Sequence, residues 1–488
     1  MVWRSLGWPL IHDAPLMHYI AWVIGQGGVP YRDVFDMNLP GVYLIHWAML
    51  SVGGAGDLAW RGFDLAWLAA TCALLFTYCR PATGGWAAAG AAMLFALYHL
   101  SGGAWRAGQR DFLLGVFLLA GADGVARAAE RGGARWPLVW AGLALGAGMT
   151  VKPYAGLFWA ICVLIAAGSA WRAGRSALLE GGTVLATGLV IPALVFGWLA
   201  WRGGLGAFIA ILGGYVVPLY SQIGRVTLWQ PFGWYRYGWA LWGLLAGLAA
   251  LALLAPVREG MGLRRALAVL GAGYGLLHFA LQGKGWEYHL YSLALFVSAL
   301  AAFAIMRVRV QAVRGLGIAP RMRRAVALAL VAATVVVLGV KGVDAIDAPW
   351  VAEKSRRVAA LTRDLWALVP PGGTVQVMDV TAGGIHALFN LRLRQPSRFL
   401  YDFHFFHHPA DPRIQALRAE LVSALQARPP DAIVLFQESW NRPPHEALSD
   451  FAYERLADFP EVSVLLARGY TRAVEGDGYR IYAKRRGS

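Results

Sequence analysis

The sequence predicts an α-helical polytopic membrane protein with a C-terminal extracytoplasmic α/β domain. Three observations predict this class: long apolar runs, cations that alternate between two sets of joints, and a change of character near residue 344. Of the 488 residues, 58% are hydrophobic and 15% are charged, whereas a soluble protein carries about 25% charged residues. The net charge of +16 is explained by cations at the joints, so it does not indicate a nucleic-acid partner.

Ten apolar runs are close to the roughly 17–25 residues that a helix needs to span a bilayer. They cover residues 58–79, 86–102, 109–128, 136–151, 153–171, 177–201, 234–256, 263–281, 288–306 and 324–343. Two further apolar segments, 40–53 and 205–217, are short for a crossing, and we expect them to lie along the membrane interface.

The joints between the runs alternate in charge. One set holds fifteen cations and the opposite set holds seven, so the positive-inside rule assigns the first set to the cytoplasm. The Asp13 region, the loops 103–110, 218–233 and 282–288, and the chain after about 344 are then expected outside. No span and no signal peptide precede Asp13, so we expect a start site placed too late and one further helix upstream.

The chain divides into a membrane domain, 1–343, and a soluble domain, 344–488. In the second, strand-like runs at 374–378, 432–436, 462–466 and 479–483 alternate with helical stretches near 352–368 and 411–427. This alternation predicts a small α/β domain with a partly parallel sheet.

The loops assigned to the outer face combine carboxylates with isolated cations. The first loop holds Asp13, Asp33 and Asp36, and later joints hold Arg110-Asp111, Lys152-Pro153 and Gly283-Lys284-Gly285. Cations at headgroup depth suit a lipid-linked phosphate, and a facing carboxylate can act as general base toward a hydroxyl. Together they predict group transfer from a polyprenyl phosphate.

An ordered set of motifs carries a resemblance to a known superfamily. It comprises Asp13-x-Pro15, Gly28-x-Pro30-Tyr31-x-Asp33, Pro40-Gly41-x-Tyr43, Gln109-Arg110-Asp111 and Thr150-Val151-Lys152-Pro153. The set resembles GT-C membrane glycosyltransferases, and among them the protein O-mannosyltransferase and lipid A aminoarabinose transferase branch. The resemblance covers roughly residues 1–300. It implies a many-spanning enzyme that takes a sugar from a polyprenyl- or dolichyl-phosphate carrier.

The resemblance also implies residue roles. Asp13 becomes the candidate catalytic base and Asp111 the acid of the second outer loop. Arg110, Lys152 and Lys284 would hold the carrier phosphate. Besides these, we expect Tyr288, His289, Asp33 and Asp36 to contact the substrate or its phosphate. The family pattern has Asp-Glu where this chain has Asp13-Ala14. No cofactor is therefore firmly implied, and a divalent metal ion stays open, with Asp13 and His289 as its candidate ligands.

Each candidate residue also has an ordinary structural interpretation. Asp13 can cap a helix that begins around Pro15, and Asp111 can form an ion pair with Arg110. Lys152 can extend its ammonium to the membrane surface from a helix end, and Lys284 can be part of an ordinary turn. Asp33 and Asp36 suit either loop ordering or contact with the donor sugar.

The soluble domain, 344–488, contains the cluster Asp402-Phe403-His404-Phe405-Phe406-His407-His408. Three histidines in five residues can bind zinc, but no cysteine accompanies them. We interpret the cluster as an exposed aromatic loop that rests on the membrane or on the acceptor.

The predicted function is transfer of a sugar from a polyprenyl-phosphate donor to a lipid, glycan or protein acceptor. The predicted setting is the outer face of a bacterial inner membrane. A lipid-linked polysaccharide ligase or polymerase is an alternative, although such an enzyme places its key groups in one large outer loop. A polytopic transporter is another, although it needs charges near the bilayer midplane and internal repeats. The sequence does not distinguish the sugars or the acceptors.

Overall fold

The structure is a computed structural model that describes residues 1–11, 13–255, 260–306, 320–379, 381–437, 456 and 458–485. Its helices are α1 Val2–Ser5, α2 Asp13–Gly25, α3 Pro40–Gly53, α4 Asp57–Thr83, α5 Gly85–Leu100, α6 Arg110–Glu130, α7 Arg135–Val151, α8 Ala155–Arg172, α9 Ala177–Trp201, α10 Leu205–Ile211, α11 Gln230–Trp234, α12 Gly238–Leu253, α13 Gly262–Gln282, α14 Tyr291–Ile305, α15 Pro320–Ile346, α16 Pro349–Leu368, α17 Gly384–Leu391, α18 Pro412–Ala427 and α19 Pro460–Gly469. Its strands are β1 Val375–Met378, β2 Ala432–Phe436, β3 Tyr470–Gly476 and β4 Tyr479–Lys484.

Each of the ten apolar runs coincides with one helix, from α4 to α9 and from α12 to α15. In the described part of the chain, six helical segments are long and apolar enough to cross a membrane. They are α4, α6, α8, α9, the segment Glu287–Ile305 that contains α14, and the segment Arg321–Leu368 that begins with α15. The α-helical polytopic class predicted from the sequence is confirmed.

Glycine lets helices α7 and α9 approach each other closely. A Cβ atom on Gly146 of α7 would collide with the carbonyl oxygen of Gly188 in α9. Close approach at small residues is a usual way for helices to associate in a bilayer, where packing rather than the hydrophobic effect drives the contact.

A buried ion pair lies inside the bundle. Arg61 forms an ion pair with Asp64 on the same face of α4. The Asp64 carboxylate also lies 3.0 Å from the His99 ring and accepts the Gly108 N–H. These contacts connect α4 and α5 to the loop before α6.

The C-terminal helices and strands, from α16 to β4, form a small mixed sheet with helices. We call this unit the outer domain, after the side of the membrane on which the sequence predicts it. The strand order is β1-β2-β4-β3. Strands β1 and β2 are parallel, with Val377 opposite Val434, whereas β4 is antiparallel to both β2 and β3. The partly parallel sheet predicted from the sequence is therefore present.

One predicted strand is wrong. Residues 462–466 lie in α19, which begins at Pro460 and buries Val462 and Leu466. Proline is favoured in the first turn of a helix, and one buried face is enough to account for the apolar residues. Strand β3 was not predicted, because Tyr470 is its one buried residue and most of its other side chains are exposed.

The chain before α4 packs against the outer domain. The Tyr19 hydroxyl of α2 donates to the carbonyl of Leu393, 3.1 Å away. The Phe35 N–H donates to the carbonyl of Arg398 at 2.7 Å, and the Arg398 side chain returns a bond to the Tyr31 carbonyl. The two ends of the sequence therefore share one hydrophobic core, which holds the Asp13 segment against the outer domain.

Candidate functional site

A cavity of about 230 Å³ lies where the outer domain meets one end of the helix bundle. We call it the site cavity, and we call this end of the bundle the outer end. Five of the sequence-predicted site residues line it: Asp13, Arg110, Lys152, Lys284 and His289. These residues come from four segments that are far apart in sequence, with Lys284 and His289 in the same one. The fold therefore brings together motifs that are separate along the chain.

Asp13 occupies the first turn of α2. One carboxylate oxygen lies 3.4 Å from Nη2 of Arg110, and the Asp13 side chain keeps 21% of its surface exposed. The ion pair is long and the carboxylate is accessible. Asp13 can therefore accept a proton from a molecule in the cavity.

Arg110 is the first residue of α6, after Gln109 as the N-cap. A helix N-terminus adds positive potential, because its first N–H groups have no partner within the helix. Nε of Arg110 is buried and has no hydrogen-bond partner among the described residues. The side chain therefore has donor capacity beyond its contact with Asp13.

Lys152 lies at the break between α7 and α8, where Pro153 follows it. Its ammonium is 3.0 Å from the Asp111 carboxylate and donates to Oε1 of Gln282 at 2.9 Å. Burial lowers the pKa of Lys152 below its ordinary value, and the neighbouring Asp111 carboxylate opposes that shift. The ammonium is thus held from one side while it faces the cavity on the other.

Asp111 is fully buried and does not line the cavity. Besides Lys152, it contacts Nε2 of His278 at 2.9 Å and accepts a bond from Gln282 at 3.2 Å. This carboxylate lies behind Lys152, which separates it from the cavity. The geometry suits an anchor of the ammonium better than a group that touches substrate.

Lys284 projects from the short loop between α13 and α14. Its ammonium donates to the carbonyl oxygens of Tyr220, at 2.8 Å, and Ile223. Burial, with a smaller contribution from Arg225, lowers the pKa of Lys284 to about 8. Gly283 and Gly285 on either side have φ of +62° and +70°, a region that glycine adopts without strain.

Tyr288 and His289 lie in a single 3₁₀ turn, Glu287–Leu290, that leads into α14. Both are buried, and their rings meet edge to face with centroids 4.5 Å apart. Nδ1 of His289 is buried with no hydrogen-bond partner in the described part of the chain. His289 lines the cavity, and Tyr288 packs beside it.

Asp33 and Asp36 lie outside the cavity. Asp33 pairs with Arg32 at 2.8 Å and accepts the Val29 N–H. Asp36 is buried and accepts bonds from Asn38 and Tyr43; burial raises its pKa. The sequence left two roles open, loop ordering and contact with the donor sugar. The stretch Met37-Asn38-Leu39 lines the cavity, whereas Asp36 lies outside it and accepts a bond from Asn38. This geometry favours loop ordering.

The sequence did not reveal the part of the cavity wall that the outer domain supplies, formed by Thr381, Tyr401 and Phe403. The aromatic cluster at 402–408 was expected to be exposed. Instead Phe403, His404 and Phe405 are buried, and His404 packs 4.8 Å from both Phe35 and Tyr215. Three residues of the cluster are buried and His404 packs against Phe35 of the first loop, so the interpretation as an exposed loop is wrong.

Two further lining residues, Tyr220 and Arg225, were missed because they follow α10 in a loop without a recognisable motif. Gln282 was missed as well, although it directly precedes the Gly283-Lys284 pair. Its signal was its position at the end of an apolar run that also carries His278.

The metal ion left open by the sequence can be tested against the ligand set. Among the described residues, no group of three or more histidine, cysteine, aspartate or glutamate side chains is arranged to hold a metal. Asp13 and His289 share the cavity, but Asp111 is committed to Lys152. Among the described residues, this donor set does not fit a metal centre.

Comparisons with known proteins agree on the fold. The chain is similar to ArnT from Cupriavidus metallidurans bound to undecaprenyl phosphate, with a TM-score of 0.62 and 14% identity over 100% of this chain and 96% of that one. The apo ArnT structure gives a TM-score of 0.61 and 12% identity, over 99% and 95% of the two chains. The chain has a GT-C-type fold.

A sequence profile points in the same direction. Residues 38–201, about a third of this GT-C-type chain, match the dolichyl-phosphate-mannose-protein mannosyltransferase family. The matched region contains Arg110, Asp111 and Lys152. A comparison with the curated proteins finds no match. The GT-C resemblance predicted from the ordered motifs is confirmed.

Proposed function

We propose that this protein transfers a glycosyl unit from a polyprenyl-phosphate-linked donor to an acceptor hydroxyl. One observation carries the proposal: an accessible carboxylate and several cations from distant segments line the same cavity. Arg110, Lys152, Arg225 and Lys284 supply the positive charge, and Asp13 is the one carboxylate among the described residues that line the cavity.

The cations suit the phosphate of the donor. Lys152 and Lys284 are each fixed by two oxygen acceptors, and Arg110 keeps a donor without a partner among the described residues. Positive groups held in place before the reaction stabilise a leaving phosphate without having to reorganise. Such preorganised charge is usually the largest single contribution to catalysis.

The apolar wall suits the isoprenoid chain. Phe208, Leu212 and Val216 line the cavity on the side of α10, and the nearby Ile209 and Val217 are more than half exposed. In a membrane protein such side chains face lipid, so a lipid-linked donor could enter from the bilayer. The similar ArnT structure bound to undecaprenyl phosphate supports a donor of this class.

Asp13 is the proposed general base. Its carboxylate accepts the proton of the acceptor hydroxyl, whose oxygen forms a bond to the anomeric carbon of the donor sugar. The bond between that carbon and the phosphate oxygen breaks, and its electron pair leaves with the polyprenyl phosphate. Arg110, Lys152 and Lys284 stabilise the charge that develops there. Proton transfer to a positioned group contributes typically ~10²–10⁴-fold to the rate.

Asp111 is the proposed positioning residue for Lys152. Its full burial and its contact with the ammonium support this role, and it has no direct access to the cavity. Tyr288 and His289 complete the wall behind the phosphate. We place the reaction and the outer domain outside the bacterial inner membrane, because the cation-rich joints are expected in the cytoplasm.

The test is transfer of radiolabelled sugar from polyprenyl-phosphate donors on membranes that contain the wild type or Asp13→Asn. We expect a loss of at least about 100-fold, since the amide cannot accept the proton. The matched control is Asp344→Asn, which removes an exposed carboxylate that pairs with Arg236 and should transfer normally. Transfer by Asp13→Asn at the control's rate, with equal protein levels, would overturn the proposal.

A further inference from the structure

A second cavity, of about 290 Å³, lies at the seam between the outer domain and the first helices. We call it the seam cleft. Its walls come from four segments: residues 9–11, residues 55–57 at the start of α4, and parts of α16 and α17. The site cavity is a separate space, although Leu10 and Ile11 of the cleft precede Asp13 by only a few residues.

The cleft contains charges of both signs. Asp57 and Lys354 line it together with His386, and Ser355 and Asn390 add neutral polar groups. Asp57 uses one oxygen to accept the Leu10 N–H at 2.9 Å, and its side chain remains 48% exposed. A carboxylate that is half exposed can still bind a cation.

His386 is the group whose bonding is incomplete. Its side chain is 91% buried, and Nε2 lies 4.0 Å from the Asp57 carboxylate, too far for a hydrogen bond. The ring makes no hydrogen bond to any other described residue. Because His386 lines the cleft, a ligand in the cleft can supply the hydrogen-bond partner that the ring lacks among the described residues.

The cleft opens at the level where the membrane surface is expected. Asp57 is the first residue of α4, one of the candidate membrane spans. On either side of it, the apolar side chains of Val52 and Leu58 are 92% and 63% exposed. Exposed apolar side chains next to a charged cleft match the boundary between acyl chains and headgroups.

We propose that the seam cleft binds the headgroup of a zwitterionic aminophospholipid. The ammonium pairs with Asp57, and the phosphate oxygens accept hydrogen bonds from Lys354 and His386. A headgroup with both charges satisfies both sides of the cleft, whereas a purely anionic headgroup would place negative charge beside Asp57. The acyl chains then lie against Val52 and Leu58.

The proposal does not depend on glycosyl transfer, so it can fail or hold independently of the proposed function. The experiment uses the purified full chain in detergent and measures lipid retention by native mass spectrometry. Phosphatidylethanolamine is compared with phosphatidylcholine, which has no N–H donor, and with phosphatidylglycerol, which has no ammonium. We expect phosphatidylethanolamine to bind at least fivefold more tightly than either.

Two variants and a control assign the binding to the cleft. Asp57→Asn and Lys354→Gln should each weaken phosphatidylethanolamine binding about fivefold to tenfold, the effect of losing one charge contact at a membrane surface. Asparagine keeps a side-chain oxygen for the Leu10 N–H, so the fold should persist. Arg236→Gln removes an exposed outer cation elsewhere, and it should bind the lipid like the wild type.

Three results would overturn the proposal. The first is equal binding of the three lipids, and the second is unchanged phosphatidylethanolamine binding by both cleft variants. The third is binding of soluble phosphoethanolamine as tight as that of the lipid, which would assign the cleft to a free metabolite. Selective lipid binding that both cleft variants lose would support it.

Discussion

The two ends of the helix bundle each bury a cluster of charge, and they differ in how completely it is paired. At the end away from Asp13, Arg264 donates to Asp123 at 2.8 Å, to both oxygens of Glu130 at 2.6 and 2.8 Å, and to the carbonyl of Tyr78. Each nitrogen of the guanidinium group therefore has a partner. A second cation, Arg127, lies 2.5 Å from Asp123.

The outer end has more positive than negative charge. Four cations line the site cavity, and the nearby carboxylates are Asp13 and the buried Asp111. Arg110 keeps an unpartnered Nε in the described structure, and its contact with Asp13 is long, at 3.4 Å. The comparison teaches that buried charge alone does not mark a site. An excess of charge of one sign beside a cavity does mark a site, because a ligand of the opposite charge can pair with the groups that lack a partner.

The largest effect is expected at the end away from Asp13. Arg264→Met leaves Asp123 and Glu130 without their buried cation, which should lower the free energy of unfolding by ~3–5 kcal/mol. The protein that remains folded should bind the polyprenyl-phosphate donor like the wild type. Denaturant unfolding in detergent and donor titration measure the two quantities. Weaker donor binding in the folded fraction would contradict a purely structural role for this cluster.

A double-mutant cycle on Lys152→Met and Asp111→Asn measures how strongly these two residues interact at the outer end. The interaction should be visible both in the free energy of unfolding and in donor binding. We expect an interaction free energy of about 0.5–3 kcal/mol in unfolding, and a coupling in donor binding as well, since Lys152 lines the cavity. The matched cycle on Arg264→Met and Glu130→Gln should show coupling in unfolding alone. Additive donor-binding effects of the Lys152 and Asp111 changes would separate Asp111 from the site.

Much of the outer site was predictable because its signals are local. A charge that interrupts an apolar run marks a helix end, and cation counts assign that end to one side of the membrane. Residues as distant as Asp13, Arg110, Lys152 and Lys284 could thus be assigned to one face before any contact was known. The ten apolar runs likewise became ten helices, because the bilayer requirement dominates other preferences in such a sequence.

The remaining features depend on tertiary contacts that have no local signature. Nothing near Tyr401 or Phe403 indicates that the outer domain folds over α2 and closes the cavity. The burial of Asp111 behind Lys152 depends on His278 and Gln282, which come from another helix. Residues 462–466 became a helix because a short apolar run fits either structure, and the preceding Pro460 with one buried face decided between them.

A smaller effect is expected from pH. The pKa of Lys284 is lowered to about 8, first by burial and then by Arg225. The donor is a phosphodiester whose charge is constant in this range, so its affinity should be full near pH 6–7 and should fall as the pH rises through about 8. Lys284→Arg should remove this fall, because a guanidinium group stays charged. A flat wild-type profile between pH 6 and 10 would show that Lys284 does not contact the phosphate.

The most direct test of the central claim is the affinity of the purified protein for undecaprenyl phosphate, compared between Arg110→Gln and Arg236→Gln. Arg110 is 14% exposed and faces the cavity, whereas Arg236 is 77% exposed and pairs with Asp344. Loss of a charge-assisted hydrogen bond costs about 1.5–3 kcal/mol, so Arg110→Gln should bind the carrier at least about tenfold more weakly. Arg236→Gln should remain within about twofold of the wild type. Equal affinities of the two variants for undecaprenyl phosphate would contradict the claim that the excess positive charge of the site cavity holds the carrier phosphate.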